Sequence, residues 1–377
     1  MKQRIVFGNN KIKQLRKIIE TINPKTILIL TGNKSYNRSG SKKLIEFLIK
    51  GYKNQRFYNF STDPKYEDVK KGVKLIKEIN PELIIAVGGG SVIDMAKQIN
   101  ILSNNKYNKK SIIQKLKLKK PKIPLIAIPT TSGTGSESTS FSVIYINGKK
   151  YSIEDESMMP NYAFILPKLG DNMTKSLLAS CVFDAFSQAI ESYWSINSTT
   201  FSKRLSSKAI KIIKNNLIKA INGNVTSKAE LFKAANLSGQ AINITKTTAP
   251  HAISYTLSSK YKIQHGHAVA LTLGKFFRYN NPDSTKIIND KRGQKYLQKT
   301  MNNLYKILEC KNSAECEEYW YKTMRKIGLK IRFKNIGIKN SNDIHYLVKC
   351  VDKNRLSNNP ISINKEQLTN ILDSLKA

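Results

Sequence analysis

Three of the four histidines in the chain, His251, His265 and His267, fall within one short window, while His345 stands apart. A His-poor chain that gathers its imidazoles in one place reads as a ligand set, because imidazole is the commonest metal ligand. His251 and His265 are 14 residues apart, which suits one helix face or a helix–loop break before Gly266. Upstream, Asp184 and Gln188 are four residues apart in a helical-period segment, so they share a face. Asp184 lies among Val182, Phe183, Ala185 and Phe186. A carboxylate in such surroundings is costly unless it is paired or metal-bound. Asp184, His251 and His265, with an amide oxygen from Gln188, would form a mixed N/O set with an open position. Such a set suits catalytic Fe2+ or Zn2+. The plainer alternative is that Asp184 caps a helix and the histidines bond locally.

Two glycine-rich junctions offer a second chemistry. Leu83-Ile-Ile-Ala-Val87 runs into Gly88-Gly89-Gly90-Ser91 and then Val92-Ile93-Asp94, so a buried strand feeds a glycine turn that opens a helix. That turn presents backbone N–H groups at a positive helix end, which suits a pyrophosphate. It is not the GxGxxG fingerprint, because Ile93 stands where the third glycine belongs. Alone, the segment could equally be a glycine turn without a ligand. The next junction repeats the idea: Leu125-Ile-Ala-Ile128 leads into Pro129-Thr130-Thr131-Ser132-Gly133-Thr134-Gly135-Ser136-Glu137. Hydroxyls and glycines at a strand end can bind a ribose, a phosphate or an amide. Two such loops in one segment point to a nucleotide site.

The elements that must position these residues follow from periodicity. Short β-rich runs at 26–31, 56–60, 83–87 and 125–128 alternate with helical-period segments at 42–50, 66–79 and 91–102. This rhythm predicts a parallel α/β sheet. Residues 141–146, the Asn147-Gly148 pair and residues 149–153 predict a hairpin. Beyond Pro167 strand signals nearly vanish. Amphipathic segments follow at 174–193, 202–220, 228–245, 268–279, 298–308, 314–327, 341–351 and 365–375, so the second half is expected to be helical. The expected domains are 1–167, α/β and dinucleotide-binding, and 168–377, all-helical and metal-binding.

The 377 residues suffice for two cores, and 40% hydrophobic with 24% charged residues argues against wholesale disorder. The 64 Lys+Arg against 26 Asp+Glu give a net charge of +38. That balance raises nucleic acid or an acidic membrane as partners. The lysines are scattered, however, with dense runs only at Lys109-Lys110 and across 115–122, and no helix-turn-helix or zinc-finger spacing occurs. No nucleic-acid or membrane partner is expected, while an anionic substrate would be steered by the field. Cys181, Cys310, Cys316 and Cys350 form no CxxC, which implies reduced thiols in a cytoplasm. The first residues lack the apolar run of a signal peptide, and no stretch of roughly 18 apolar residues predicts a membrane span.

Taken together, Gly88-Gly-Gly-Ser-Val-Ile-Asp94, Pro129-Thr-Thr-Ser-Gly-Thr-Gly-Ser-Glu137, Asp184-Ala-Phe-Ser-Gln-Ala-Ile-Glu191 and Gln264-His265-Gly266 resemble the iron-containing (group III) alcohol dehydrogenases. The resemblance runs in order from about residue 5 to 280, with a weaker helical tail. It implies the dehydroquinate synthase-like fold, with Asp184, His251 and His265 in the metal-ligand places and Fe2+ ahead of Zn2+. Gln188 stands where most members carry His, which puts the metal's identity in question. Gly89, Gly90, Ser91 and Asp94 match the pyrophosphate loop and its supporting Asp. Thr130, Thr131 and Thr134 match the loop around the nicotinamide half, and Lys150 matches a Lys that reaches the nicotinamide ribose. Gly32, Lys34 and Ser35 lie where the adenosine ribose is held. An Asp there would favour NAD; Gly32, with Lys34 and Arg38 nearby, accepts a 2′-phosphate, so NADPH is expected ahead of NADH.

A narrower set, Glu191 to Thr199, Ala241 to Tyr255 and His265 to Leu271, is similar to the phosphonoacetaldehyde reductase (hydroxyethylphosphonate dehydrogenase) branch. That branch implies reduction of phosphonoacetaldehyde to 2-hydroxyethylphosphonate. Lys246, with Thr247, Thr248 and Ser254, is the expected phosphonate-binding group, since one fixed cation plus short donors suits a tetrahedral oxyanion. His267 and Tyr255 are the candidates for proton transfer. Tyr255 occupies a place where many members carry another His, and Val182 and Leu166 also depart from the usual pattern. The family makes a homodimer the expected assembly. The rivals are a generic short-chain alcohol dehydrogenase of the same family and a lyase of the dehydroquinate-synthase type.

Overall fold

The computed structural model describes residues 3–114, 118–121, 123–283, 285–351 and 353–376. Of the basic run at 115–122, residues 115–117 and 122 lie outside the described residues. The chain divides into two compact units, Met1–Met173 and Thr174–Ala377.

The first unit holds β1 (Arg4–Phe7), β2 (Thr26–Thr31), β3 (Lys53–Phe57), β4 (Leu83–Gly88), β5 (Leu125–Pro129), β6 (Phe141–Ile146), β7 (Lys149–Glu154) and β8 (Tyr162–Ile165). Six of these form a parallel sheet in the order β1-β8-β5-β4-β2-β3. Its helices are α1 (Ile12–Ile22), α2 (Ser35–Arg38), α3 (Ser41–Leu48), α4 (Tyr66–Ile79), α5 (Gly90–Ser103) and α6 (Lys109–Ile113). β2 and β4 are buried along their whole length, as continuous β-branched runs in a parallel sheet must be. Alternate side chains enter opposite cores. Leu28, Leu30, Ile84 and Ala86 pack with α4 and α5, while Ile27, Ile29, Leu83 and Ile85 pack with α1 and α3.

The hairpin β6–β7 turns at Asn147 and Gly148, whose φ angles of 50° and 76° are both positive, as a type I′ turn requires. One strand differs from its expected place. Residues 56–60 read as a strand, but β3 spans Lys53–Phe57. It is an edge strand that pairs only with β2 and is largely exposed, so its apolar residues do not mark its bounds. The short strands β1 and β8 and the helix α1 escape the sequence pattern.

The second unit is helical: α7 (Lys175–Trp194), α8 (Thr200–Ile221), α9 (Val225–Thr245), α10 (Ala249–Tyr261), α11 (His265–Tyr279), α12 (Gln294–Leu308), α13 (Ser313–Lys326), α14 (Ser341–Lys349), α15 (Lys353–Leu356) and α16 (Lys365–Asp373). This is the α/β-then-helical architecture that the sequence implies. α7 is buried on nearly all sides and packs against α8, α9 and α11. Thr174 caps its start by accepting from the Leu177 N–H. Phe183, Phe186, Phe277 and Trp320 form an aromatic cluster along it, with ring centroids 4.8 to 6.2 Å apart. Among the described residues no helix is long and apolar enough to cross a membrane. The four cysteines form no disulfide.

The hairpin supplies a direct test of the fold. Asn147→Val forces a β-branched residue to positive φ and should cost about 1–2 kcal/mol. Asn147→Gly should leave stability nearly unchanged. Equal thermal-unfolding midpoints for both variants would contradict the turn.

Candidate functional site

In the second unit, α7 carries Asp184 and Gln188, α10 carries His251, and α11 opens on His265. The histidine window is therefore a helix–loop–helix break, with Lys262 in the left-handed region at φ 56° ending α10. One ligand atom each from Asp184, His251 and His265 lies within 4.8 Å of the other two. His251 Nε2 is 3.3 Å from Asp184 Oδ1, and His265 Nε2 is 3.9 Å from the same oxygen. Donors around one tetrahedral ion stand roughly 3.4 Å apart, so this set fits a small divalent cation with little movement. Asp184 and His251 are buried, and His265 is partly exposed. Gln188 Oε1 accepts a hydrogen bond from Ser238 at 3.2 Å. An amide oxygen has a second lone pair, so this bond does not remove Gln188 from a ligand set.

Sequence reasoning did not single out Glu191 as a site residue, although it lies two turns after Asp184 on the same face of α7. It is fully buried. Its Oε1 accepts from the Thr248 N–H at 2.9 Å, the Thr248 hydroxyl at 3.0 Å and the His251 N–H at 3.3 Å. Its Oε2 bonds to His251 Nδ1. One carboxylate thus caps the start of α10 from outside and fixes the His251 ring. With Nδ1 bonded to Glu191, Nε2 is the nitrogen turned to Asp184. Burial opposes a charged His251, but Glu191 and Asp184 outweigh it and raise the imidazole to about 9. The surroundings therefore favour positive charge, whether a proton or a metal ion carries it. The spacing 184, 188, 191, which repeats one helix face, is the signal that could have found Glu191.

α11 crosses α7 at Gly266, where a Cβ would lie 1.9 Å from the Ser180 carbonyl oxygen and 2.8 Å from Asp184 Cβ. Only glycine lets His265 approach Asp184 here. The Tyr255 ring stacks on His265 with centroids 6.2 Å apart. His267 lies elsewhere: its Nε2 is 2.7 Å from the Lys330 carbonyl oxygen, and burial lowers its pKa. Thr247, Thr248 and Ser254 are buried. The Ser254 hydroxyl donates to the His251 carbonyl at 2.8 Å, so it supports the ligand helix. Lys246 occupies the turn between α9 and α10, with φ 59° and ψ 178°.

In the first unit, the two glycine-rich junctions meet at the carboxyl ends of neighbouring strands. Gly88 pairs with Pro129 in register, and the Thr130 N–H donates to the Gly88 carbonyl at 3.0 Å. A Cβ on Gly90 would lie 2.6 Å from Thr134 Oγ1, and one on Gly89 would lie 3.5 Å from Thr131 Oγ1. Gly89, Gly90, Ser91, Thr130, Thr131 and Thr134 are thus one neighbourhood. Asp94 braces it: its Oδ1 accepts from the Ser136 hydroxyl at 2.5 Å and its Oδ2 from the Val143 N–H at 2.9 Å. Burial raises the Asp94 pKa, while Lys97, Ser136 and the positive charge of Lys150 on β7 act the other way. Gly32, Lys34 and Ser35 form the turn after β2, where a Cβ on Gly32 would stand 2.1 Å from Ser35 Oγ.

Lys97 is a further residue the sequence did not flag. It is 1% exposed and donates to Ser136 Oγ at 3.0 Å, Thr139 Oγ1 at 2.9 Å and the Phe141 carbonyl at 3.1 Å. Burial lowers its pKa to about 8 against the pull of Asp94 and Glu137. The Asp94–Lys97 spacing of three on α5 is its only trace in the sequence.

Comparison with known proteins agrees with this layout. Residues 2–167 match the iron-containing alcohol dehydrogenase family, and residues 178–375 match the C-terminal part of the same family. The chain belongs to the iron-containing alcohol dehydrogenases. It is 32% identical over 244 residues to aldehyde-alcohol dehydrogenase 2 of Entamoeba histolytica, which covers 61% of this chain and 28% of that protein. The chain thus spans less than a third of that relative's length. It is 29% identical over 287 residues to the NADPH-dependent butanol dehydrogenase of Clostridium saccharobutylicum, covering 74% and 73% of the two chains. It is 29% identical over 240 residues to the phosphonoacetaldehyde reductase of Streptomyces viridochromogenes, covering 61% of each. Among solved structures it is similar to sulfoacetaldehyde reductase from Bifidobacterium kashiwanohense in complex with NAD+. That match has a TM-score of 0.87 and 25% identity, and it covers 100% of this chain and 97% of the other.

Glu191 and Gly266 make the site testable without any assay of turnover. Glu191→Gln places an amide donor opposite His251 Nδ1, which drives the ring proton to Nε2. Fe2+ or Zn2+ affinity, read by chelator competition, should fall about 10- to 100-fold. Gly266→Ala should separate α11 from α7 and abolish binding. Unchanged metal affinity in Glu191→Gln would sink the assignment.

Proposed function

We propose that this protein is a metal-dependent, NADPH-preferring reductase of phosphonoacetaldehyde, yielding 2-hydroxyethylphosphonate. The observation that carries the dehydrogenase reading is the Asp184–His251–His265 cluster braced by Glu191. In this reading Asp184, His251 and His265 hold the ion, with Gln188 as the fourth donor, and Fe2+ is preferred to Zn2+. When bound, the ion polarises the aldehyde oxygen and the reduced nicotinamide supplies the hydride.

The protein's own groups do the rest. The N-terminus of α5, with Gly89, Gly90 and Ser91, receives the pyrophosphate, and Asp94 with Lys97 holds that loop against the hairpin. Thr130, Thr131, Thr134 and Lys150 line the nicotinamide half. Gly32, Lys34 and Ser35 border the adenosine ribose without any carboxylate to repel a 2′-phosphate. Tyr255, stacked on His265, is the nearer proton-transfer candidate, since the ring of His267 is engaged by the Lys330 carbonyl.

The phosphonate assignment draws on two relatives whose names specify two-carbon aldehydes bearing an anionic group, a phosphonate in one and a sulfonate in the other. The net charge of +38 favours such a substrate by steering. Lys246 is the cation assigned to it, beside Thr247 and Ser254. The functional domains are read as 1–167 for the dinucleotide and 168–377 for the metal, in a cytoplasmic homodimer. A second reading, a short-chain aldehyde reductase without phosphonate preference, is favoured by the likeness to a butanol dehydrogenase.

NADPH oxidation by the Fe2+-loaded protein separates the two. Phosphonoacetaldehyde should be reduced with higher kcat/KM than acetaldehyde or butyraldehyde at matched concentrations. Lys246→Ala should lower kcat/KM for phosphonoacetaldehyde about 10-fold or more while leaving propionaldehyde nearly unchanged. Equal losses on both substrates would remove Lys246 from phosphonate recognition. Better turnover of the simple aldehydes by the wild type would establish the second reading.

A further inference from the structure

Arg56 is a charged side chain that the reading above leaves without a task. It lies near the carboxyl end of β3, beside β2, with Arg56 opposite Ile29 in register. Its Nε donates to the Thr31 hydroxyl at 2.7 Å, and its Nη2 donates to the Gly32 carbonyl at 3.1 Å. The guanidinium carbon lies 4.5 Å from the centroid of the Tyr36 ring and 4.2 Å from that of Tyr58. Tyr36 is buried and Tyr58 is 41% exposed, so the cation is held between a fixed ring and a surface ring. Two contacts to aromatic faces and three hydrogen bonds, the third from Nη2 to the Asn33 carbonyl at 3.5 Å, remove most of the rotamer freedom an arginine has on a strand edge.

The turn beside it carries only positive charge, and the carboxylate that acts on Tyr36, Glu46 of α3, pairs with Lys42 at 3.9 Å. The turn and short helix that follow β2, Gly32-Asn33-Lys34-Ser35-Tyr36-Asn37-Arg38, contain no carboxylate and two further cations, Lys34 and Arg38. Both are exposed. No ion pair to Arg56 occurs among the described residues. A positioned guanidinium without a carboxylate partner, beside the strand end where a dinucleotide's adenosine ribose lies, has the chemistry to bind a phosphomonoester.

The geometry points to Arg56 as the residue that recognises the 2′-phosphate of the dinucleotide, with Lys34 and Arg38 adding charge around it. This inference rests on the dinucleotide reading above and deepens it. Arg56 sets specificity and takes no part in the chemical step. Its bonds to Thr31 and Gly32 hold the turn in a shape that either dinucleotide would need. The phosphate contact would distinguish the two.

The test needs neither metal nor aldehyde. Calorimetric titration of the wild type with 2′,5′-ADP and with 5′-AMP compares the two ligands with and without the 2′-phosphate. The wild type should bind 2′,5′-ADP about 10-fold or more tightly than 5′-AMP. Arg56→Met should erase that difference, costing 2′,5′-ADP about 10-fold more affinity than it costs 5′-AMP, whose loss reads only the turn. Arg56→Lys, which keeps the charge but not the fork, should retain part of it. If Arg56→Met weakens both ligands equally, Arg56 serves only to hold the turn and the inference fails. Equal binding of both ligands by the wild type would overturn 2′-phosphate recognition alone. Failure of the wild type to bind either would overturn the dinucleotide reading, and this inference with it.

Discussion

A single buried carboxylate, Glu191 of α7, fixes how the start of α10 meets α7. Its four acceptor contacts go to Thr248, to the backbone and ring of His251, and to nothing apolar. A carboxylate can accept about four hydrogen bonds, so Glu191 is saturated. That saturation makes its burial tolerable in a helix lined with Phe183, Phe186 and Trp194. It also sets the chemistry. A helix start is normally capped by its own preceding residue, but here Thr248 gives its hydroxyl to Glu191 and accepts from Trp194 Nε1 at 3.0 Å. The cap of α10 therefore belongs to α7. The position of His251 then follows from the position of Asp184, two turns back on the same helix.

The first unit solves a similar problem with the charges reversed in rank. There a lysine is the deeply buried member, and hydroxyls and a carbonyl receive it. Lys97 gathers Ser136, Thr139 and Phe141, while Asp94 gathers Ser136 and Val143. Ser136 is shared, so the pair and the loop form one network. A loop of Thr, Ser and Gly between a strand and a hairpin has many conformations available to it. Two buried charges that demand particular partners select among them. In both units these buried charges sit where the backbone must hold a fixed shape.

Much of this was legible in the sequence because the relevant signals are local. The runs TILILT and LIIAV read as sheet strands, and Asn147-Gly148 as a hairpin turn. Asp184 announced itself as a carboxylate among aromatics, and the histidines by their clustering. What escaped was non-local. β8 has four residues and gains its place from pairing with β1 and β5, which no periodicity records. α10 is buried on most sides at its start, so it has no amphipathic stripe to read. Glu191 is passed over because its partners lie 57 to 60 residues away. Arg56 reads only as the start of a β-rich run, because the buried ring that holds it, Tyr36, comes from another element.

The turn that delivers α10 carries one more constraint. Lys246 adopts φ 59° and ψ 178°, a conformation close to glycine-only territory that costs about 1–3 kcal/mol for a residue with a side chain. Its neighbours over-determine it. The Ser195 hydroxyl donates to the Thr245 carbonyl at 3.1 Å, Asn358 donates to the Thr247 carbonyl at 3.1 Å, and Glu191 holds the Thr248 N–H. Glycine would relieve the strain at no steric cost, so the backbone alone does not explain a lysine there. The Lys246 ammonium donates to the Asn243 carbonyl at 3.4 Å, so the side chain also serves the last turn of α9. A cation on a turn whose backbone is anchored on both sides, five residues before His251, and whose head bonds back to α9, has little freedom in its direction.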